Sequence, residues 1–195
     1  MCWRNKMIKI TANQGKELCK LARDSIEEFF TNKKIETPDS LKHILTYPRG
    51  VFVTIHNKHT NELRGCIGYP IAKYSLGRSL KDAAIGAGFK DNRFMPLKRD
   101  ELQDIKIEVS ILSEFQKIKS SEPEEIKKEI KIGRDGLAIE HGFGSGLLLP
   151  QVAIEYGWNV EKYLTNLCRK AMLSDDMWAD KSSKLYKFQA VVFSE

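Results

Sequence analysis

The sequence lacks the residues from which covalent or metal-bound frameworks are built. Its four cysteines, Cys2, Cys19, Cys66 and Cys168, lie 17, 47 and 102 residues apart, so there is no Cys-x-x-Cys pair and no zinc-type spacing. All four are read as reduced thiols, no metal is expected, and the residues leave the question of a cofactor open. No apolar run approaches the 18 residues that a membrane-spanning helix needs, and Met1–Ile10, with Arg4 and Lys6, has no apolar stretch of signal-peptide length. The expectations are a cytoplasmic location and no membrane. A one-signed basic face is also missing. The net charge is +6, but Lys33-Lys34, Lys98-Arg99 and Lys127-Lys128 are scattered among Asp and Glu. With no nucleic-acid motif beside them, they read as a solvated surface and not as a nucleic-acid face.

What is present is enough for a sizeable core. At 195 residues with 42% hydrophobic content, the chain has the length of one large domain, or of two lobes sharing a core, and needs no staple. Leu18, Ala22, Ile26, Phe29 and Phe30 form one apolar stripe, which predicts a helix over 13–31 with Asn13 as its cap. Asp39 opens a second, short helix that Tyr47-Pro48 stops. Val51, Val53 and Ile55 alternate as in a strand. Lys58–Asn61 breaks the pattern, and Leu63 begins a second apolar run, so a hairpin is predicted.

Further along, Leu76, Leu80, Ala83, Ala84 and Ala87 predict a helix over 75–87. Ile105, Ile107, Val109 and Ile111 mark the clearest strand. Pro123 opens a charged helix over 122–129. Lys131–Gly133 and Leu137–Glu140 read as strands joined by the Arg134-Asp135-Gly136 turn, and Gly142, Gly144 and Gly146 as a turn that lacks the context of a dinucleotide loop. A helix over 160–171 and one closing strand over 185–193 complete the pattern. Strands grouped in hairpins, with helices that do not alternate with them, predict an α+β fold with a mainly antiparallel sheet and flanking helices.

The chemistry concentrates in Glu62–Pro70. On a strand, Arg64, Cys66 and Gly68 share one face while Leu63, Gly65 and Ile67 share the other. The glycines Gly65 and Gly68 leave the backbone open to a ligand. The hairpin register decides the surroundings of Cys66. A loop centred between His59 and Thr60 puts Cys66 on the Val53 and Ile55 face, and a slip of one residue brings Phe52 and Thr54 beside it.

Several ordered motifs carry a family likeness. They are Leu63-Arg64-Gly65-Cys66-Ile67-Gly68, Asp91 with Arg93-Phe94, Ile107-Glu108-Val109-Ser110, Asp135-Gly136-Leu137, Leu147 through Val152, Glu155 with Gly157-Trp158, and Cys168 with Lys170-Ala171. With these motifs the chain resembles the AMMECR family over about residues 12–192. Two departures are Asn92, where the family usually has proline, and Met172, where it usually has glycine. The resemblance implies a single domain over 1–195 with discontinuous boundaries, two lobes, and the hallmark near a cleft between them. It fixes no activity, and it implies Memo-like or radical-SAM partners.

The candidate site has Cys66 as nucleophile, Glu108 and His141 as acid or base groups, and Arg64, Gly65, Gly68, Asp91 and Arg93 as ligand-binding residues. A nucleophilic thiol needs a nearby base or cation, and the bland alternative for Cys66 is a small buried filler. Two guanidinium forks match a carboxylate or phosphate, and the alternative is that each arginine pairs internally, Arg93 with Asp91 for instance. The functional expectation is an enzyme or enzyme subunit acting on a small anionic molecule. The rival is a binding or adaptor module for a partner protein or peptide.

Overall fold

A computed structural model describes residues 9–31 and 36–195. Cys2, Arg4, Lys6 and the Lys33-Lys34 pair, with the readings made of them, lie outside the described residues. The chain is α+β and forms two compact units, one of residues up to Leu112 together with Val191–Glu195, the other Ser113–Ala190.

The first unit contains α1 (Ala12–Thr31), α2 (Asp39–Thr46), β1 (Val51–Asn57), β2 (Leu63–Tyr69), α3 (Leu76–Phe89) and β3 (Ile105–Leu112). A 3-10 turn, Arg99–Gln103, precedes β3. In the second unit come β4 (Gln116–Lys117), α4 (Pro123–Glu129), β5 (Gly136–His141), β6 (Gly144–Leu148), α5 (Pro150–Glu155), α6 (Val160–Lys170) and β7 (Lys184–Phe188). The last strand, β8 (Ala190–Ser194), returns to the first sheet, whose order is β2-β1-β3-β8, while the second sheet runs β4-β7-β5-β6. The expected closing strand is therefore two strands in two sheets, broken at Gln189, whose backbone N–H and C=O are both held by Ser113.

Alternation explains the first core. Val51, Val53 and Ile55 on β1 and Ile107 and Val109 on β3 are wholly buried, together with Leu18, Ala22 and Ile26 of α1 and Leu80, Ala83 and Ala84 of α3. Each fully buried Val, Leu or Ile contributes roughly 1.5–3 kcal/mol relative to exposure. The small residues of α3 let it lie close on β2, and a Cβ on Gly65 would run into the Ala87 carbonyl oxygen. The second unit has its own core around Leu137, Ile139, Tyr163, Leu164 and Leu167.

Local chemistry corrects several boundaries. The cap of helix α1 is Thr11, two residues before Asn13, because Thr11 and Gln14 make a reciprocal capping box: Gln14 N–H donates to Thr11 Oγ1 at 3.2 Å and Thr11 N–H to Gln14 Oε1 at 3.0 Å. Lys131–Gly133 is not a strand; it belongs to a turn that the buried Asp135 closes by accepting from the Lys131 N–H at 2.9 Å. Of the glycine run only Gly142 lies in the turn, while Gly144 and Gly146 are in β6, where a Cβ would meet the backbone of Ala171. The short α5 went unread because its six residues start at a proline and carry little periodicity.

Candidate functional site

The hairpin settles its register with a bulge. Next to the turn His56 faces Leu63, but beyond it Ile55 faces Gly65, Thr54 faces Cys66 and Phe52 faces Gly68, with Arg64 as the extra residue. Cys66 therefore lies beside Thr54, on the face opposite the buried Val53 and Ile55, and not among them. Thr54 and Cys66 form a non-hydrogen-bonded pair, in which side chains approach most closely. The Thr54 hydroxyl donates to Cys66 Sγ at 3.4 Å.

Such a pair leaves the Cys66 N–H and C=O pointing outward from the sheet, and β2 is an edge strand. Asp91 and Arg93 close that edge. The Cys66 N–H donates to Asp91 Oδ2 at 2.8 Å, and Arg93 Nη2 donates to the Cys66 carbonyl at 3.2 Å. The two side chains also join each other, Arg93 Nε to Asp91 Oδ1 at 2.9 Å and Nη2 to Oδ2 at 2.7 Å. A carboxylate and a guanidinium thus stand in for the carbonyl and amide of a neighbouring strand. The Asp91 side chain is 3% exposed and that of Arg93 51%. Hydrogen bonds from Arg93 hold the Asp91 carboxyl well below the usual carboxylate range, against burial, which pulls the other way, and with help from the backbone N–H groups of Cys66 and Arg93. Asp91 in turn raises the Arg93 pKa, burial opposes it, and the Cys66 side chain adds to the rise, so this cation also feels the sulfur.

Arg64 points its fork elsewhere. Its Nε and Nη2 donate to Glu101 Oε1 and Oε2 at 2.9 and 3.1 Å. Burial pushes Glu101 up, but the hydrogen bonds from Arg64 and from the Lys98 N–H outweigh it and hold the carboxyl below its ordinary value. Both arginines therefore pair internally. Arg93 keeps an outer side, since no hydrogen bond among the described residues engages its Nη1.

The openness expected at the glycines is filled. The Ala87 carbonyl of α3 covers the side-chain position of Gly65, and the Phe52 ring covers that of Gly68. Their smallness serves close packing, which corrects the expectation that they admit a ligand. Glu108 faces Thr54 on the far side of β1, so Cys66, Thr54 and Glu108 form one row across three strands. Two strand spacings separate the Cys66 and Glu108 backbones by about 10 Å.

His141 is on β5 of the second unit, where its Nδ1 accepts from the Phe143 N–H at 3.2 Å and its Nε2 lies 2.8 Å from Ser182 Oγ. The Ser182 hydroxyl already donates to Asp180, so Nε2 carries the proton and donates. Both ring nitrogens of His141 thus have hydrogen-bond partners within the second unit. Among the described residues no three side chains of His, Cys, Asp and Glu gather as a metal group, and no helix is long and apolar enough to cross a membrane. Sequence reasoning reached Thr54 only as the slipped register. It missed Glu101, because no spacing links it to an arginine 37 residues away.

Comparison with known proteins matches the chain to a family. The family model described as AMMECR1 matches residues 19–193. Protein MJ0810 of Methanocaldococcus jannaschii is 46% identical over 186 residues, covering 95% of this chain and 92% of that protein. Protein PF1979 of Pyrococcus furiosus is 45% identical over 194 residues, covering 97% and 91%. The crystal structure of the uncharacterized protein PH0010 from Pyrococcus horikoshii is similar with a TM-score of 0.87 at 43% identity, covering 95% of this chain and 93% of that one.

Proposed function

The chain belongs to the AMMECR1 family, and from that premise we propose that it is an enzyme, or the subunit of one, in which the Cys66 thiol reacts with a small anionic substrate. The observation that carries this reading is the clamp on Cys66. The Asp91–Arg93 ion pair, with Asp91 buried and Arg93 half exposed, fixes its backbone at both the N–H and the C=O, while Cys66 itself is only partly buried and its sulfur accepts a hydrogen bond from the Thr54 hydroxyl. A thiol beside a hydroxyl donor, with a guanidinium on its own backbone carbonyl, has the surroundings of a candidate nucleophile. The outer side of Arg93 supplies N–H groups for the anion, and Glu108, one strand beyond Thr54, is the acid or base group. Arg64 serves the site by fixing the bulge through Glu101. In the subunit form of this reading, a Memo-like or radical-SAM protein is the partner, in the cytoplasm, and the two units are lobes of one domain.

The test is alkylation of Cys66 by iodoacetamide at neutral pH, followed by peptide mass spectrometry. Cys66 is expected to react at least about tenfold faster than glutathione, and phosphate or acetate at millimolar concentration is expected to slow it. A rate no faster than glutathione, or one that neither anion changes, overturns the proposal.

A specific observation favours the adaptor reading as well. Leu63 and Tyr69, at the two ends of β2, are each 40% exposed, and Ile71 beyond them is 58% exposed. Against it, the Asp91–Arg93 closure blocks strand addition at the middle of this edge. The substitution Cys66→Ala separates the two readings: it abolishes an activity, but leaves the binding of a partner to those apolar ends intact.

A further inference from the structure

The first unit carries a concave surface, none of whose lining residues belongs to the Cys66 site. It is an open groove of about 670 Å³ between α2 and the start of α3, lined by Thr37, Lys42, Thr46, Ser75, Arg78 and Lys81, with Leu45, Gly77 and Asp82. That volume lies in the range of small-molecule sites. The start of α3 is fixed against the end of α2 by the Leu76 N–H, which donates to the Tyr47 carbonyl at 2.8 Å. Gly77 keeps the two close, since a Cβ there would stand 3.1 Å from that of Leu45.

We propose that this groove binds a small phosphate ester, with Lys42, Arg78 and Lys81 meeting its phosphoryl oxygens. Three features converge on that ligand, and no one of them is sufficient. Cations from two helices line one hollow. Arg78 makes only a long 3.6 Å pair with Asp82, and Lys42 pairs with Asp39 on an open surface; both pairs are solvent-exposed, and exposed pairs of this kind are worth a few tenths of a kcal/mol. An incoming dianion therefore displaces them cheaply, and Lys81 has no ion-pair partner among the described residues.

The second feature is the first turn of α3. Ser75, the N-cap, makes no side-chain capping bond, and since the Leu76 N–H is taken by the Tyr47 carbonyl, the donors left at this positive end are the N–H groups of the lining residues Gly77 and Arg78. Third, the Arg78 guanidinium lies 4.0 Å over the ring of Tyr74, an exposed aromatic next to Ser75 in the chain. Stacking orients the Arg78 fork. So many donors exceed what the two oxygens of a carboxylate can take up, whereas a phosphoryl group presents three oxygens. Asp82 is the one carboxylate in the lining, and its charge opposes the ligand.

The experiment titrates the protein with inorganic pyrophosphate and with glycerol phosphate by calorimetry, with sulfate as the control anion. Saturable binding of both phosphates is expected at millimolar concentration or below. The combined variant Lys42→Ala, Arg78→Ala, Lys81→Ala is expected to bind at least about tenfold more weakly, and Asp82→Asn about two- to fivefold more tightly. These side chains are on the surface, and circular dichroism checks that the variants fold. Absence of saturable binding, sulfate binding as tight as the phosphates, or an unchanged affinity in the triple variant overturns the proposal. The alkylation rate of Cys66 in the triple variant reports separately on the other site and is expected to stay at the wild-type value.

Discussion

The Asp91 carboxylate accepts the backbone N–H of Cys66 at 2.8 Å, across 25 positions of the sequence. A side chain from the loop after α3 thus takes the part of a missing strand at the edge of the first sheet. Arg93 completes it from two residues further on.

Removal of that carboxylate is expected to be costly. Asp91→Ala leaves the Cys66 N–H without its acceptor and Arg93 without its partner. We expect a loss of about 2–4 kcal/mol by urea denaturation, smaller than for a fully buried pair because Arg93 is half exposed. Asp91→Asn retains an acceptor and is expected to lose less than Asp91→Ala.

The same group sets an acid response. The folded-state pKa of Asp91 is depressed, chiefly by Arg93, so its contribution is fully present above the unfolded value near 3.9 and is lost as pH falls through that value towards the lower folded one. Denaturation midpoints measured from pH 6 down to the most acid condition the protein survives are expected to fall below about pH 4, and more shallowly in Asp91→Asn. Parallel curves for the two proteins would exclude Asp91 as the source.

At Gly65 the Ala87 carbonyl oxygen of α3 occupies the place of a side chain. Gly65→Ala forces backbone against backbone and is expected to destabilise by about 3 kcal/mol or more. Gly142→Ala, with nothing within 4 Å of its Cβ, is the matched control and is expected to change stability by less than about 0.5 kcal/mol.

Helix α6 ends in a Schellman motif built on the wrong residue. Leu173 N–H donates to Cys168 O at 2.9 Å and Met172 N–H to Arg169 O at 3.0 Å, with Met172 at φ 58°. A methionine in the left-handed region costs roughly 1 kcal/mol that glycine avoids. Met172 is 90% exposed, so Met172→Gly loses little packing and is expected to raise stability by about 1 kcal/mol in urea melts, whereas Met172→Val lowers it.

The three described cysteines are expected to differ in native labelling. Burial pushes the Cys19 thiol up to about 12, with Glu195 adding to it, and burial also raises Cys168. Iodoacetamide at pH 8 is expected to modify Cys66 while Cys19 and Cys168 react only in urea. Peptide mapping that finds Cys19 labelled in the native protein would contradict its burial.

Much of the fold was legible because it is written at short range. Val51, Val53 and Ile55 alternate with period two, and Leu80, Ala83, Ala84 and Ala87 recur with helical period, so each face announces itself within a few residues. The Leu63–Gly68 hallmark, read with the other motifs, carried the family. Legibility failed where a local signal was ambiguous or absent: Thr11 capped where Asn13 was equally plausible, and the six residues of α5 were too few to show a period.

By itself, the sequence determined the α+β class, the hairpin, the buried faces and the place where Cys66 sits in the chain. Only the tertiary structure decided what surrounds that cysteine. Whether Thr54 or Val53 lies beside the sulfur depended on one bulged residue, Arg64, and a shift of one residue exchanges the two faces of a strand. The partners of Arg64 and Arg93 were decided in the same way: Glu101 is 37 residues from the first and the Cys66 backbone is 27 from the second. Periodicity is a property of neighbours along the chain, whereas a charge selects its partner from whatever the packing of helix and sheet brings within about 3 Å.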